Sequence, residues 1–288
     1  MNRRHFLHAS ALALGGLALG GCAREDAAPG TADATATAGR RLDRIGLQLY
    51  TVRSLMQEDV PGTLARVAEI GYDEVEFAGY FDHSPADIRA MLEANGLAAP
   101  STHTMLASVQ GDRLEATVAQ AAEVGHRYLV VAWLAPEERA TLDHYRRHAE
   151  TFNRAGEACR AAGLQFAYHN HDFEFMDLEG QRPYDLLLAE TDPELVQMEL
   201  DLYWITKAGF DPMTYFEQYP GRFPLCHVKD MAADGTMADV GAGTIDFAAI
   251  FAHAGHAGLR HYFVEHDNPA DPLASISASY AHLSALTF

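Results

Sequence analysis

Short apolar runs alternate with amphipathic stretches along the chain from Arg44 onward. The runs are short and lie next to glycines such as Gly71, Gly96 and Gly125, which favours buried strands that follow capped helices. The stretches between them carry apolar residues at helical spacing. The predicted strands lie near residues 44–50, 73–77, 97–103, 127–133, 164–170, 196–201, 223–228 and 261–265. The predicted helices lie near residues 61–70, 85–95, 112–124, 137–162, 183–190, 211–218, 246–257 and 271–286.

Eight strand–helix units in about 245 residues predict a (β/α)8 TIM barrel, an α/β fold that folds as a single domain. A doubly wound open sheet is the alternative arrangement of the same elements. That fold favours a glycine-rich phosphate loop after the first strand, and none follows Leu47 to Tyr50 here. The barrel is therefore the predicted fold for residues 42–288.

The N-terminal segment has the features of an export signal and is not expected to be part of the barrel. Arg3 and Arg4 precede an apolar run that is too short for a permanent membrane span, as in a twin-arginine signal peptide over residues 1–21. Leu19 to Cys22 resembles a lipobox, so residues 22–41 are predicted to form a lipidated cysteine and a flexible linker. A plain cleaved signal peptide with an incidental cysteine is the alternative. We expect an exported, periplasmic lipoprotein that contacts the membrane only through a lipid on Cys22.

Composition narrows the class of protein. The 288 residues carry 40 acidic and 21 basic side chains, for a net charge of −19. A surface this acidic repels phosphate backbones, so we expect no nucleic-acid partner. A hydrophobic content of 48% excludes wholesale disorder. Three cysteines are too few for a disulfide framework, whereas the 15 histidines include tight clusters.

The chemistry-bearing residues follow the predicted strands at their carboxyl ends, where barrel active sites lie. Four neighbouring strands, the fifth to the eighth, each bring an imidazole or a carboxylate to this end. Any one of these groups has a structural explanation as a hydrogen-bond or salt-bridge partner. Together they favour a divalent metal, because buried carboxylates that face one another repel unless a cation or a proton lies between them. The residues are His169, His171, Glu174, Glu199, Asp201, His227, Lys229 and Glu265.

These segments resemble the xylose isomerase-like barrel family, also described as sugar phosphate isomerases/epimerases, over residues 42–287. The phrase from Tyr168 to Phe175, the Glu199-Leu200-Asp201 triplet and His227 to Asp230 carry the resemblance. The family includes ketose epimerases, inosose dehydratases, dehydroshikimate dehydratases and an abasic-site endonuclease. The resemblance implies a barrel enzyme with one divalent metal and a small-molecule carbohydrate substrate, and it does not choose the sugar or the oligomeric state.

By position, the resemblance implies that His169, Asp201, His227 and Glu265 are the metal ligands. His169 departs from the family, in which a carboxylate at this position also carries a proton. Two imidazoles and two carboxylates suit Mn²⁺, Zn²⁺, Co²⁺ or Fe²⁺. Glu199 and Glu174 are alternative ligands if His169 binds substrate instead.

The predicted reaction is proton abstraction next to a metal-polarised carbonyl of a carbohydrate or keto-sugar, as in a sugar isomerase or epimerase. His171, Glu174 or Glu265 is the predicted base, and Lys229 is predicted to stabilise an enediolate oxygen. Trp204 is expected either to stack on a sugar ring or simply to pack. The residues predicted to line the sugar site are Gln48, Glu76, His103 and Trp204.

Three other functions compete with isomerisation. One is β-elimination, in a sugar dehydratase or a 3-keto-glycoside lyase or hydrolase, since an exported enzyme meets free sugars and glycosides rather than sugar phosphates. Another is a non-catalytic sugar-binding lipoprotein. A nuclease is disfavoured by the charge and by the absence of a histidine two residues after Asp239.

Overall fold

The computed structural model describes residues 39–288, and the predicted signal peptide and Cys22 lie outside this range. Eight parallel strands close into a barrel, which confirms the predicted TIM barrel. Every barrel strand falls within or within one residue of its predicted range. The barrel strands are β1 (Gly46–Gln48), β2 (Glu74–Phe77), β3 (Ala98–Thr104), β4 (Tyr128–Val131), β5 (Gln165–His169), β6 (Val196–Asp201), β7 (Leu225–Val228) and β10 (His261–Val264). They pair in this order, and β10 closes the barrel against β1.

Helices surround the barrel and occupy the predicted positions between strands. No helix within residues 39–288 combines the length and apolar character needed to cross a membrane. The helices are α1 (Arg53–Glu58), α2 (Val60–Ile70), α3 (Pro85–Asn95), α4 (Arg113–Val124), α5 (Leu142–Ala161), α6 (Pro183–Glu190), α7 (Leu202–Lys207), α8 (Pro212–Gln218), α9 (Phe247–Ala252), α10 (Ala254–Ala257) and α11 (Pro272–Ala285).

Three local features differ from the prediction. The long predicted helix at 137–162 begins only at Leu142, because Thr141 caps it and residues 136–138 form a separate 3₁₀ turn. The helix predicted at 246–257 is interrupted at His253. Helices α1 and α7 have no counterpart among the predicted helices. Helix α7 follows β6 directly because the Asp201 side chain accepts a hydrogen bond from the Trp204 backbone N–H, which caps the new helix.

The loop after β7 contains a small antiparallel hairpin, β8 (Asp230–Met231) with β9 (Met237–Ala238). Asp230 is buried, and its carboxylate accepts hydrogen bonds from the backbone N–H groups of Met231, Gly241, Gly243 and Ile245. A Cβ atom at Gly243 would lie 2.2 Å from the Asp230 carboxylate, so this position requires glycine. The Asp230 carboxylate therefore organises the loop that follows the strand of His227 and Lys229.

Candidate active site

Four side chains from consecutive barrel strands converge at the carboxyl end of the barrel. His169 and Asp201 are the last residues of β5 and β6, His227 lies in β7, and Glu265 follows β10. Each is at most 5% exposed, and each offers a ligand atom that lies within 4.8 Å of those of the other three. Parallel pairing of β6 with β7 sets Asp201 opposite His227, which explains why residues distant in sequence meet here. These are the four residues that the family resemblance implied as metal ligands.

The donor atoms of this cluster fit a cation. Nδ1 of His227 and Oε2 of Glu265 lie 2.7 Å apart in a buried position, and Nδ1 of His227 makes no hydrogen bond of good geometry. Buried polar atoms without such partners are rare, and a bound ion commonly satisfies them. A nitrogen and oxygen donor set without thiolate suits Mn²⁺, Fe²⁺, Co²⁺ or Zn²⁺. The cluster is a potential metal site, and its geometry does not choose among these ions.

Lys229 supplies a fixed positive charge at the same place. Its Nζ atom lies 3.0 Å from Oδ2 of Asp201, 2.7 Å from Oε2 of Glu265 and 2.9 Å from Oδ1 of Asp267. Burial by itself would raise the pKa of Asp201 and of Glu265, but Lys229 and the neighbouring imidazoles hold both well below their usual values. Both carboxylates are therefore ionised, as metal ligands must be.

A second layer of polar groups lies beneath the cluster inside the barrel. Glu76 accepts hydrogen bonds at Oε2 from Nε2 of Gln48 and of His227, both at 2.7 Å. Nε2 of His103 lies 2.7 Å from Oε2 of Glu199. Nε2 of His227 is hydrogen-bonded to Glu76 and Nδ1 faces the metal cluster; the surrounding carboxylates raise the pKa of this imidazole, so ligation would release a proton from Nδ1. This layer therefore orients His227 for ligation.

Two of the residues predicted to line the sugar site lie beneath the metal cluster. Gln48 and Glu76 are fully buried and do not line the cavity above the cluster. Their hydrogen-bonding groups are used by each other, by His227 and by the Tyr50 backbone N–H. Strand alternation gave them the correct inward face, but their depth in the barrel places them under the site rather than in it.

His171 does reach the cavity wall, as one of the predicted bases. Its ring stacks on Phe173 with 9° between the ring planes and lies 5.2 Å from the Trp204 ring centroid. Its Nδ1 atom is buried without a hydrogen-bond partner. Burial, together with the neighbouring His169 imidazole and the positive charge of Lys229, lowers the pKa of His171 well below its usual value. The imidazole is therefore neutral, with a lone pair on one ring nitrogen.

Trp204 itself is half-buried and packs behind His171, with Lys207 4.7 Å from the centre of its ring system. It does not line the cavity, so its contact with His171 matches the packing alternative rather than sugar stacking.

Glu174, another predicted base, is directed away from the cavity. Its carboxylate accepts hydrogen bonds from the Tyr168 hydroxyl and from the backbone N–H of His171. Tyr168 packs on Phe152 of α5, in the layer between strands and helices. Burial raises the pKa of Glu174 to about 7. The contacts of Glu174 thus hold the loop that carries His171, and they do not bring its carboxylate to the substrate.

A cavity of about 560 Å³ opens above the metal cluster. His103, His169, His171, Lys229 and Glu265 reach it, as the sequence predicted for this end of the barrel. The sequence pattern assigns no role to the other lining residues, since only the loop conformations after the strands bring them there. The largest of these are Tyr50, Met105, Trp133 and Asp267.

A closed barrel with an imidazole and carboxylate cluster at the carboxyl ends of its strands is the architecture of a barrel enzyme. Residues 64–285 match the family model described as the xylose isomerase-like TIM barrel. The chain therefore belongs to this family.

Individual relatives agree with this assignment. A sugar phosphate isomerase/epimerase from Parabacteroides distasonis is 29% identical, with a TM-score of 0.72 over 88% of this chain and 96% of its own. The inosose dehydratase of Geobacillus kaustophilus is 27% identical, over 69% of this chain and 80% of its own length. The IolI protein, whose crystal structure holds a zinc atom, shares the fold at 14% identity, with a TM-score of 0.68 over 85% of this chain and 99% of its own.

Proposed function

We propose that this protein is a metal-dependent carbohydrate lyase that removes a proton next to the carbonyl of a keto-sugar and expels the oxygen substituent at the β carbon. The observation that carries the proposal is the number of free bases. His171 is the neutral imidazole on the cavity wall, while the carboxylates of Asp201, Glu265 and Asp267 are all ion-paired with Lys229. Epimerisation by two bases on opposite faces of one carbon finds no second free base among the described residues.

The chemistry balances with one base. The C–H proton moves to the imidazole of His171, the C–H electron pair forms the new double bond, and the β-oxygen leaves with its bonding pair. His171 then returns the proton to the departing oxygen, so water or an alcohol is released. Lys229 stabilises the negative charge that develops on the substrate oxygen. A divalent cation held by His169, Asp201, His227 and Glu265 would polarise the carbonyl and acidify the adjacent C–H.

Sugar isomerisation is the second candidate, and the similarity to the Parabacteroides distasonis protein favours it. The same base would then return the proton to the neighbouring carbon instead of to a leaving oxygen. The similarity to inosose dehydratases favours elimination. The two reactions therefore differ only in the atom that receives the proton.

The experiment loads the purified protein with Zn²⁺ or Mn²⁺ and offers a cyclic keto-sugar, with 2-keto-myo-inositol as the first probe, in D₂O. Elimination predicts an absorbing unsaturated ketone and release of water, whereas isomerisation predicts a rearranged sugar without it. His171→Asn is expected to lower kcat at least 100-fold while metal content stays unchanged. Full activity of this variant would overturn the assignment of the base.

The matched pair Asp201→Ala and Glu265→Ala tests the cation. Each removes one carboxylate of the cluster, and we expect metal content to fall in both while His171→Asn keeps its metal. Stoichiometric metal in both alanine variants would contradict the ligand set.

We also propose that the enzyme is exported and tethered to the membrane by a lipid on Cys22, on the strength of the N-terminal sequence. Cys22→Ala is expected to release the protein from the membrane fraction. Membrane retention of this variant would contradict the tether.

A further inference from the structure

Exposed apolar surface is concentrated at the cavity mouth. In the part of the chain that the structure describes, three large hydrophobic side chains are exposed: Tyr50 at 43%, Met105 at 48% and Met176 at 49%. Two of these, Tyr50 and Met105, line the cavity above the metal cluster, and Met176 does not. Exposed apolar groups that gather at one concave site indicate a ligand surface.

The cavity is divided into an apolar half and a charged half. The side formed by β1 to β4 and their loops is largely apolar and contributes Tyr50, Met105, Ala132 and Trp133, with His103 of β3 as its one imidazole. The side formed by β5 to β10 and their loops contributes His169, His171, Lys229, Glu265 and Asp267. A substrate that fills this cavity therefore presents oxygens to one side and apolar atoms to the other.

Tyr50 is held in place before any ligand arrives. The Arg53 guanidinium lies 4.0 Å from the centre of its ring, and Arg53 also donates hydrogen bonds to the backbone oxygens of Tyr50 and Asp267. The Tyr50 backbone N–H donates to the buried side chain of Gln48. A ring fixed in this way loses little conformational entropy when a ligand packs on it.

The polar groups that line the cavity are too few to bind two kinds of substrate group, a phosphate and a second sugar ring. Lys229 is the one lysine or arginine that lines it within residues 39–288, and three carboxylates surround its ammonium, so the cavity wall offers no cluster of cations for a phosphate dianion. On the apolar half, the side-chain hydroxyls are those of Tyr50, Thr104 and Ser108. A second sugar ring carries several hydroxyl groups, and most of them would find no hydrogen-bond partner there.

We propose that this apolar half is an aglycone subsite, and that the substrate is an unphosphorylated glycoside carrying an aromatic group. Tyr50 and Trp133 present ring surface, and Met105 adds a thioether, which makes favourable contacts with aromatic rings. The cavity of about 560 Å³ lies in the range of roughly 300–1,000 Å³ typical of small-molecule sites. This assignment rests on the proposed function, since it names the leaving group of the elimination as the glycosidic alcohol.

The experiment compares two probes by calorimetry on the metal-loaded protein: phenyl β-D-glucoside and methyl β-D-glucoside. We expect the phenyl glycoside to bind about tenfold more tightly, since its ring buries apolar surface that the methyl group lacks. Met105→Gln is expected to reduce this ratio to about threefold or less. Met176→Gln is the matched control, an identical change at an equally exposed methionine outside the cavity, and should leave the ratio intact.

Equal affinity for the two probes, no saturable binding of the phenyl glycoside, or equal effects of the two methionine variants would overturn the subsite. Failure of the proposed function looks different: the phenyl preference and its dependence on Met105 would remain, but no metal-dependent elimination would follow from any keto-sugar or keto-glycoside. A glucose 6-phosphate probe that binds tenfold more tightly than glucose would also contradict the assignment.

Discussion

The contact between Glu76 and His227 predicts how the second layer controls metal affinity. Oε2 of Glu76 lies 2.7 Å from Nε2 of His227, and both side chains are fully buried. Glu76→Ala removes the acceptor that fixes the imidazole, so Nδ1 is no longer held toward the other ligands. Loss of such a partner typically lowers metal affinity by about 10- to 100-fold, which corresponds to about 1.4 to 2.7 kcal/mol.

Glu76→Gln separates orientation from charge. The amide keeps one acceptor oxygen for His227, and Ser101, which donates to the other oxygen of Glu76, can accept from the amide nitrogen instead. If Glu76 acts by orienting the ring, Gln restores most of the affinity that Ala loses. If it acts by its charge, Gln and Ala weaken the affinity alike.

The assay is competition for Zn²⁺ against a chromophoric chelator, with circular dichroism to confirm that each variant is folded. Glu74→Gln is the matched control, because Glu74 lies on the same strand and bonds the His261 imidazole at 2.7 Å, but at the opposite end of the barrel. It should leave zinc affinity unchanged. A folded Glu76→Ala protein that binds zinc as tightly as the wild type would refute the reasoning.

Two further predictions concern stability. Glu174 keeps its proton in the folded state up to a pKa of about 7, whereas its usual value is 4.5, so its contribution to stability falls as pH rises between these values. Glu174→Gln removes this dependence, and in urea unfolding the wild type should lose about 3 kcal/mol relative to the variant between pH 4.5 and pH 7. Asp230→Ala leaves the backbone N–H groups of Gly241, Gly243 and Ile245 without their acceptor, and should cost about 3 kcal/mol or more in the same assay.

Each stability prediction has a control and an outcome that contradicts it. For Glu174 the control is Glu179→Gln, because Glu179 lies on the same loop and its carboxylate accepts a hydrogen bond from the Leu142 backbone N–H. Parallel pH profiles for the wild type and Glu174→Gln would contradict the argument that Glu174 is buried with its proton. For Asp230 the control is Asp234→Ala in the exposed turn of the same hairpin. A loss no larger than that of this control would show that the backbone contacts of Asp230 are dispensable.

Much of the architecture follows from sequence pattern alone. The alternation of apolar runs and amphipathic stretches specifies eight strand–helix units, because short apolar runs are typical of buried strands and apolar residues at helical spacing are typical of helices with one buried face. The rule that barrel sites lie at the carboxyl ends of strands then brings the candidate imidazoles and carboxylates together, and the family resemblance implies His169, Asp201, His227 and Glu265 as the ligands among them. The first step uses the local pattern of apolar residues, and the second uses the barrel topology that short connections between elements impose. Neither step requires the positions of individual atoms.

Tertiary structure alone decided how deep each inward-facing group lies and where each loop points. Gln48 and Glu76 share the inward face with the metal cluster, but the barrel interior places them below it, so they support His227 instead of touching substrate. Glu174 follows His171 closely in sequence, yet the turn after β5 directs its carboxylate toward Tyr168.

The apolar wall of Tyr50 and Met105 also has no periodic signature in the sequence. The alternation of residues along a strand is a property of neighbouring residues, and it therefore determines which face of the sheet each side chain points to. Depth and loop direction are set by contacts between residues far apart in the chain, which no local pattern encodes.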